Sequence, residues 1–408
     1  MKLTPKGMRD FNPEEMIVRE EVRSRITNIY RRYGFRPLVT PAMEYIDTLR
    51  AKAGEEIDQQ IFMLNNEKLA LRFDLTVPLA RVSANSDFPR PFKRYCIAPV
   101  WRKEEPQKGR FREFYQADAD IIGTKSMRAE AELLSMANEI CNEFGFKKPK
   151  IMLNNRKILD AIAKKVGFVK QKEDVLRLLD KMDKIGEEEV EKGLRDILGV
   201  RADELMEYTA NGRSNKEKLA SVKKIAPEGV EELEEILSLC DFPVEIDLSM
   251  VRGLGYYTGP VYEIKLSDDI GTVIAGGRYD NLLSVYGRED YATGISVGIE
   301  RLITLILEKN KSNRKTYSRV FVACAKQEFY KNTLELADYL RKKGIGAETD
   351  LNGRNLRKQF DYANSLSIPY TIIVGQREID SGKFMLRNME TGKEEALAKE
   401  KIAAKLKE

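Results

Sequence analysis

Histidine is absent from all 408 residues, which removes the commonest neutral-pH acid–base group and the commonest metal ligand at once. His-based zinc sites and serine–histidine or cysteine–histidine catalysis are excluded with it. Proton transfer near pH 7 then falls to a shifted Asp, Glu, Lys or Cys, or to a substrate group. Cysteine is scarce too: Cys96, Cys141, Cys240 and Cys324 stand far apart with no CxxC pair. That excludes the common thiolate zinc sites and indicates reduced, mostly structural thiols. Long apolar runs are also missing, since 295–306 is broken by Gly298, Glu300 and Arg301, and no membrane span is expected. The opening residues Met1-Lys2-Leu3-Thr4-Pro5 lack an apolar signal-peptide core, so the expected location is cytoplasmic. Nor is there a large charge excess. Seventy basic against 65 acidic residues leave +5, which permits nucleic-acid binding without demanding it.

What is present is the composition of a folded chain, 42% hydrophobic and 33% charged, long enough for two or three domains. Asn12-Pro13-Glu14-Glu15 carries the signals of a helix start, and Gly34 those of its stop. From 70 to 123 the pattern turns to strands, 93–102 and 114–122, around a basic loop; a helix follows from about 126 to 144. Residues 165–240 are charge-dense and helical, as in a module inserted into a larger domain. Strand signals return at 244–251, 261–266 and 272–275, and a long apolar helix is expected from about 293 to 307. After the polar stretch 309–316, residues 319–374 alternate β-α-β-α-β, which predicts a small C-terminal α/β domain over 317–408. The larger domain then comprises 1–164 and 241–310.

Several segments carry chemistry. In Trp101-Arg102-Lys103-Glu104-Glu105-Pro106-Gln107-Lys108-Gly109-Arg110-Phe111-Arg112-Glu113-Phe114, two strands and a basic loop bring Arg102, Arg110 and Arg112 near one another. Guanidinium forks suit a polyphosphate, Glu104 can accept from an exocyclic amine, and Phe114 offers a face for a base. Composition alone favours a mixed-charge surface hairpin. In Gly294-Ile295-Ser296-Val297-Gly298-Ile299-Glu300-Arg301-Leu302, Arg301 sits in an apolar run and needs a partner, because an unpaired buried charge is costly. Val251-Arg252-Gly253-Leu254-Gly255-Tyr256-Tyr257-Thr258-Gly259 and Ala275-Gly276-Gly277-Arg278-Tyr279-Asp280 could each be tight turns.

Taken in order, these segments resemble class II aminoacyl-tRNA synthetases. The first resembles their motif 2, the second motif 3, and Gly34-Phe35 with Pro41 motif 1. Pro5-Lys6-Gly7-Met8-Arg9-Asp10-Phe11 and the two glycine-rich segments resemble the histidyl-tRNA synthetase signatures specifically. Leu356-Arg357-Lys358-Gln359-Phe360 with Ile368-Pro369-Tyr370 resembles the class IIa anticodon-binding domain. The resemblance implies an α+β catalytic domain, an antiparallel sheet with flanking helices, bearing a helical insertion and a C-terminal α/β anticodon-binding domain. Glu105, Gly255 and Cys96 lean towards the archaeal and eukaryotic form of the motifs.

The implied reaction activates L-histidine with ATP to histidyl-adenylate, then transfers histidine to the 3′ end of tRNA(His). By the resemblance, Arg102 and Arg252 flank the α-phosphate and the substrate carboxylate. Arg110 and Arg301 hold the β- and γ-phosphates, with Mg2+ carried on the ATP; Arg112 also belongs to the ATP site, and Glu104 and Phe114 seat the adenine. Asp74 and Thr76 meet the substrate ammonium, with Gln116 close by. Asp120 and Tyr257 grip the imidazole nitrogens, with Tyr256 and Tyr279 lining the pocket. A homodimer, tRNA contacts from the insertion, and anticodon contacts from Arg354, Arg357, Lys358 and Gln359 are also implied. One alternative is a catalytically inactive synthetase-like regulatory subunit of ATP phosphoribosyltransferase. Such proteins typically lack the anticodon domain and lose motif residues. Another is a prolyl or threonyl enzyme, against which the two histidine-specific segments argue.

Overall fold

The computed structural model describes residues 3–51, 55–64, 68–107, 109–210, 212–251, 256–309 and 315–407. Its contacts divide the chain into two compact units, Met1–Arg9 with Val22–Lys309 and Asp10–Glu21 with Asn310–Glu408. The helix Pro13–Arg32 begins where its capping residues predict, with Asn12 Oδ1 accepting the Glu15 backbone N–H at 2.8 Å. Val22, Ile26, Ile29 and Tyr30 are buried along it. Gly34, at φ +78°, turns the chain out of the helix, a conformation that costs glycine little.

The larger unit is built on an eight-stranded sheet. Its order is Arg36–Pro37, Phe92–Trp101, Glu113–Ile122, Ala292–Gly298, Thr272–Arg278, Pro260–Lys265, Lys150–Asn155 and Glu245–Ile246. The six central strands are antiparallel to one another, while the two short end strands pair parallel. The motif 2 strands lie one residue from their sequence-based bounds. The expected helix over 293–307 is different: Ala292–Gly298 is a strand, and the helix Ile299–Lys309 starts only after it. Thr293, Ile295 and Val297 face one side and Gly294, Ser296 and Gly298 the other. That period of two is masked in the sequence by glycines among apolar letters.

Helix Arg128–Glu143 buries Leu133, Leu134, Ala137 and Ile140 against the sheet. Between Lys150–Asn155 and Glu245–Ile246 the described chain contains helices and no strand. In Glu187–Leu198, for example, Val190, Leu194 and Leu198 form a buried stripe under a charged outer face.

The smaller unit has a five-stranded sheet in the order Ala347–Thr349, Val320–Cys324, Tyr370–Val374, Lys383–Asn388 and Glu394–Ala398. The first three strands are parallel and carry the β-α-β-α-β order expected from the sequence. The last two add antiparallel pairs that the sequence reading did not name. Val320, Val322, Leu336, Leu340, Ile372 and Val374 belong to the core of this unit.

Candidate active site

Opposed residues in an antiparallel pair project to the same face, so the register arranges the polar side chains of the sheet centre into rows. One row runs Arg94, Asp120, Gly294, Gly277 across four strands; the next runs Cys96, Asp118, Ser296, Ala275; the third runs Ala98, Gln116, Gly298. The alternation Gln116-Ala117-Asp118-Ala119-Asp120 therefore presents three polar groups to one side and two alanines to the other.

Asp120 is the best-held of the three. It accepts from Arg94 Nη1 at 2.8 Å and from the Tyr279 hydroxyl at 2.5 Å, with Arg94 fully buried and Asp120 only 2% exposed. Burial raises the Asp120 pKa, and the Arg94 charge and the Tyr279 hydrogen bond oppose that rise. Burial, with Asp120 beside it, keeps the Tyr279 phenol protonated far above its ordinary range, so Tyr279 acts as a donor. Asp118, two residues away on the same face, is pushed up to about 8 by burial and by Asp120.

The other half of the row is bare backbone. A Cβ on Gly294 would lie 2.2 Å from Asp120 Oδ1, and one on Gly277 3.0 Å from the Tyr257 ring. The Asp120 carboxylate thus lies over Gly294 and the Tyr257 ring over Gly277, on paired strands roughly 5 Å apart. The Tyr256 ring is tilted against Tyr257 with centroids 4.9 Å apart and edge-on to Tyr279 at 5.8 Å.

Two arginines hang the segment Phe73–Leu75 from the sheet. Arg102 Nε donates to the Phe73 carbonyl at 2.9 Å and Arg94 Nη2 to the Leu75 carbonyl at 3.2 Å. Asp74 lies between these anchors. Its Oδ1 accepts the Val77 backbone N–H at 3.0 Å, at the start of helix Thr76–Ala84, and its buried Oδ2 has no partner. Burial raises the Asp74 pKa to about 6 despite the Val77 N–H and Arg102. Gln116 Nε2 donates to Ser296 Oγ at 2.9 Å, leaving its Oε1 unpartnered.

The motif 2 loop is internally paired. Arg110 forms an ion pair with Glu104, its Nη2 donating at 3.2 Å, and Arg112 Nε donates to the Glu104 carbonyl at 3.0 Å. The Arg102 guanidinium sits 5.2 Å from the Phe114 ring centroid. A Cβ on Gly109 would come 3.5 Å from Arg301 Cγ, so the loop tip reaches the motif 3 arginine, whose Nη1 donates to the Thr272 carbonyl. One partner of Arg301 is therefore a strand carbonyl. Arg252 lies outside the described residues. Every other candidate for the amino-acid and ATP sites lies either in the Asp74–Gln116–Asp120–tyrosine group or in the Arg102–Arg301 group.

Three residues of this face were missed: Arg94, Asp118 and Ser296. The period-two pattern of the second strand already held Asp118, but only the strand register could pair Arg94 with Asp120 and Ser296 with Asp118. Arg278, within the Gly-Gly-Arg-Tyr segment, has a structural task. It is 3% exposed and binds Glu130, Asp280 and the Thr124 carbonyl. Among the described residues no group of three or more Cys, Asp or Glu could hold a metal ion.

The family model for histidyl-tRNA synthetase matches residues 7–302, and that for the anticodon-binding domain matches 319–408. A histidine–tRNA ligase from Aeropyrum pernix is 40% identical over 96% of this chain and 95% of its own length. One from Bacteroides fragilis is 37% identical over 98% of each. The crystal structure of a histidyl-tRNA synthetase from Nostoc sp. superposes with a TM-score of 0.87 at 30% identity, covering 99% of this chain and 98% of that one. With the fold, the motif order and both domain matches in agreement, the chain belongs to the histidyl-tRNA synthetase family.

Proposed function

We propose that the chain activates L-histidine with ATP and transfers it to tRNA(His), using the face around Asp120 for the amino acid and the 102–114 hairpin with Arg301 for the nucleotide. The observation that carries this reading is the row Arg94–Asp120–Gly294–Gly277 closed by Tyr257. It sets a fixed acceptor over Gly294 and a phenol ring over the neighbouring Gly277. An imidazole with two ring nitrogens satisfies both, whereas another amino acid leaves buried polar groups unpaired. Such sites discriminate by roughly 10⁴–10⁵.

The histidine carboxylate is already a nucleophile at pH 7, so its attack on the α-phosphorus needs alignment and charge stabilisation more than a base. Arg102 and Arg252 supply that charge at the α-phosphate. Arg110, Arg112 and Arg301 hold the outer phosphates, with Arg110 exchanging its Glu104 partner for phosphate, and Glu104 and Phe114 seat the adenine. Mg2+ arrives with the triphosphate and neutralises part of its charge. Asp74 Oδ2, Thr76 and Gln116 Oε1 receive the substrate ammonium, two of these acceptors being without a protein partner.

At the level of the molecule, 1–164 with 241–310 forms the catalytic domain, 165–240 contacts the tRNA acceptor arm, and 317–408 reads the anticodon. The working species is a homodimer in the cytoplasm. A regulatory-subunit role is less supported, because the anticodon-binding match covers 319–408 and Arg102, Glu104, Arg252 and Arg301 are all present. The deciding experiment is ATP–pyrophosphate exchange across a panel of amino acids. Exchange with histidine alone is expected, and exchange with proline or threonine instead, or with none, overturns the reading.

A further inference from the structure

The acceptor facing the ammonium raises a question that hydrogen-bond counting answers. A glutamine amide presents either two donors or one acceptor, and rotation by half a turn exchanges them at almost no cost in shape. An ammonium needs the acceptor, so something must choose the orientation of the Gln116 amide.

Ser296 is the polar group bonded to that amide. Its Oγ accepts from Gln116 Nε2 at 2.9 Å. It can do so only while its own proton is directed elsewhere. In the register Ser296 lies directly opposite Asp118 on the same face of the sheet, at the separation where facing side chains interact, and Asp118 Oδ1 is a buried oxygen without a hydrogen-bond partner. Asp118 is 2% exposed and keeps an oxygen able to accept whether or not it carries a proton. The remaining groups around Asp118 leave it free for this task. Arg94 is committed to Asp120 and the Leu75 carbonyl, and Cys96, across the strand pair, is a buried thiol.

We infer that Asp118 and Ser296 are positioning residues which, as a relay Gln116 Nε2–Ser296 Oγ–Asp118, hold the Gln116 amide with its carbonyl oxygen towards the substrate α-ammonium. The inference rests on the proposed role of Gln116 and deepens it: the specificity of the site for an α-amino group depends on two residues that do not touch the substrate. Neither had been assigned a role by the motif resemblance.

The test uses two competitive inhibitors of histidine-dependent ATP–pyrophosphate exchange by the full-length enzyme. L-Histidinol carries the ammonium and the imidazole; 3-(imidazol-4-yl)propionate carries the imidazole and the carboxylate but no ammonium. Ser296→Ala is expected to raise the inhibition constant of histidinol about tenfold, the worth of one hydrogen bond to a charged group. It should leave that of the propionate and the KM for ATP within about twofold. Ser296→Thr, which keeps the hydroxyl, should restore the histidinol value. Equal weakening of both inhibitors, or no change in either, overturns the relay. Gln116→Ala separates this from failure of the underlying reading. If it weakens histidinol selectively while Ser296→Ala does not, only the relay falls. If it leaves histidinol unaffected, the contact between Gln116 and the ammonium falls, and the relay with it.

Discussion

At the scale of single residues, the site is governed by how many charges are buried against how few partners. Among the described residues Arg94 is the one guanidinium bonded to Asp120, and both are almost wholly buried. Arg94→Met is expected to destabilise the chain by about 3–5 kcal/mol, because it strands a buried carboxylate. Urea denaturation measures this, and adding Asp120→Asn to the same variant should recover part of the loss. The pKa shifts carry a sign as well. Asp74 and Asp118 are raised, to about 6 and about 8, chiefly by burial, so the native chain binds their protons more tightly than the unfolded chain does. Their contribution to stability is complete below the unfolded value near 4 and is lost as pH rises through about 6 and then about 8. Urea midpoints should therefore fall between pH 5 and pH 8.5, and Asp118→Asn should flatten the upper part of that fall.

At the scale of elements, the strand Ala292–Gly298 does what a helix at that position could not. Its alternation sends Thr293, Ile295 and Val297, all buried, to one side and leaves Gly294 and Ser296 beside Asp120 and Asp118. Gly294→Ala would set a methyl carbon 2.2 Å from Asp120 Oδ1. The expected result is a KM for histidine raised roughly tenfold or more, with the KM for ATP within about twofold. Steady-state exchange kinetics resolve the two. The helix expected over 293–307 forms only from Ile299, and the strand before it was hidden for a physical reason: glycine is silent in a hydrophobic pattern, so a strand with glycines on one face loses its period. The capping of Pro13–Arg32 was legible because its signal is local. Asn12→Ala should cost about 1 kcal/mol in thermal or urea unfolding.

At the scale of the molecule, two surfaces bear on the proposed partners. Val39, Met43 and Tyr45 are 70%, 53% and 67% exposed on and beside the strand Met43–Tyr45, next to the motif 1 resemblance. Large apolar side chains exposed in a group mark interaction surfaces. Under the homodimer proposal, Met43→Asp with Tyr45→Asp should shift the sedimentation coefficient from dimer to monomer. In the smaller unit, Arg357 and Lys358 are exposed on helix Leu356–Ser365, and replacing both with alanine should raise the KM for tRNA while leaving pyrophosphate exchange unchanged. Gln359, which the sequence grouped with them, is fully buried. It bonds Cys324 on both backbone groups and donates to the Arg354 carbonyl. Gln359 is thus a brace of the sheet, and no anticodon contact is expected from it.

By itself, the sequence determined the absence of imidazole chemistry, the family through the order of its motifs, and the elements whose signals are local, such as caps, hairpins and the β-α-β alternation. Tertiary structure alone decided which buried charges face each other. Arg94 and Asp120 are 26 residues apart, and Ser296 and Gln116 are 180 apart. Such pairs are set by strand order and register, which belong to the whole sheet and leave no mark in a window of neighbouring residues.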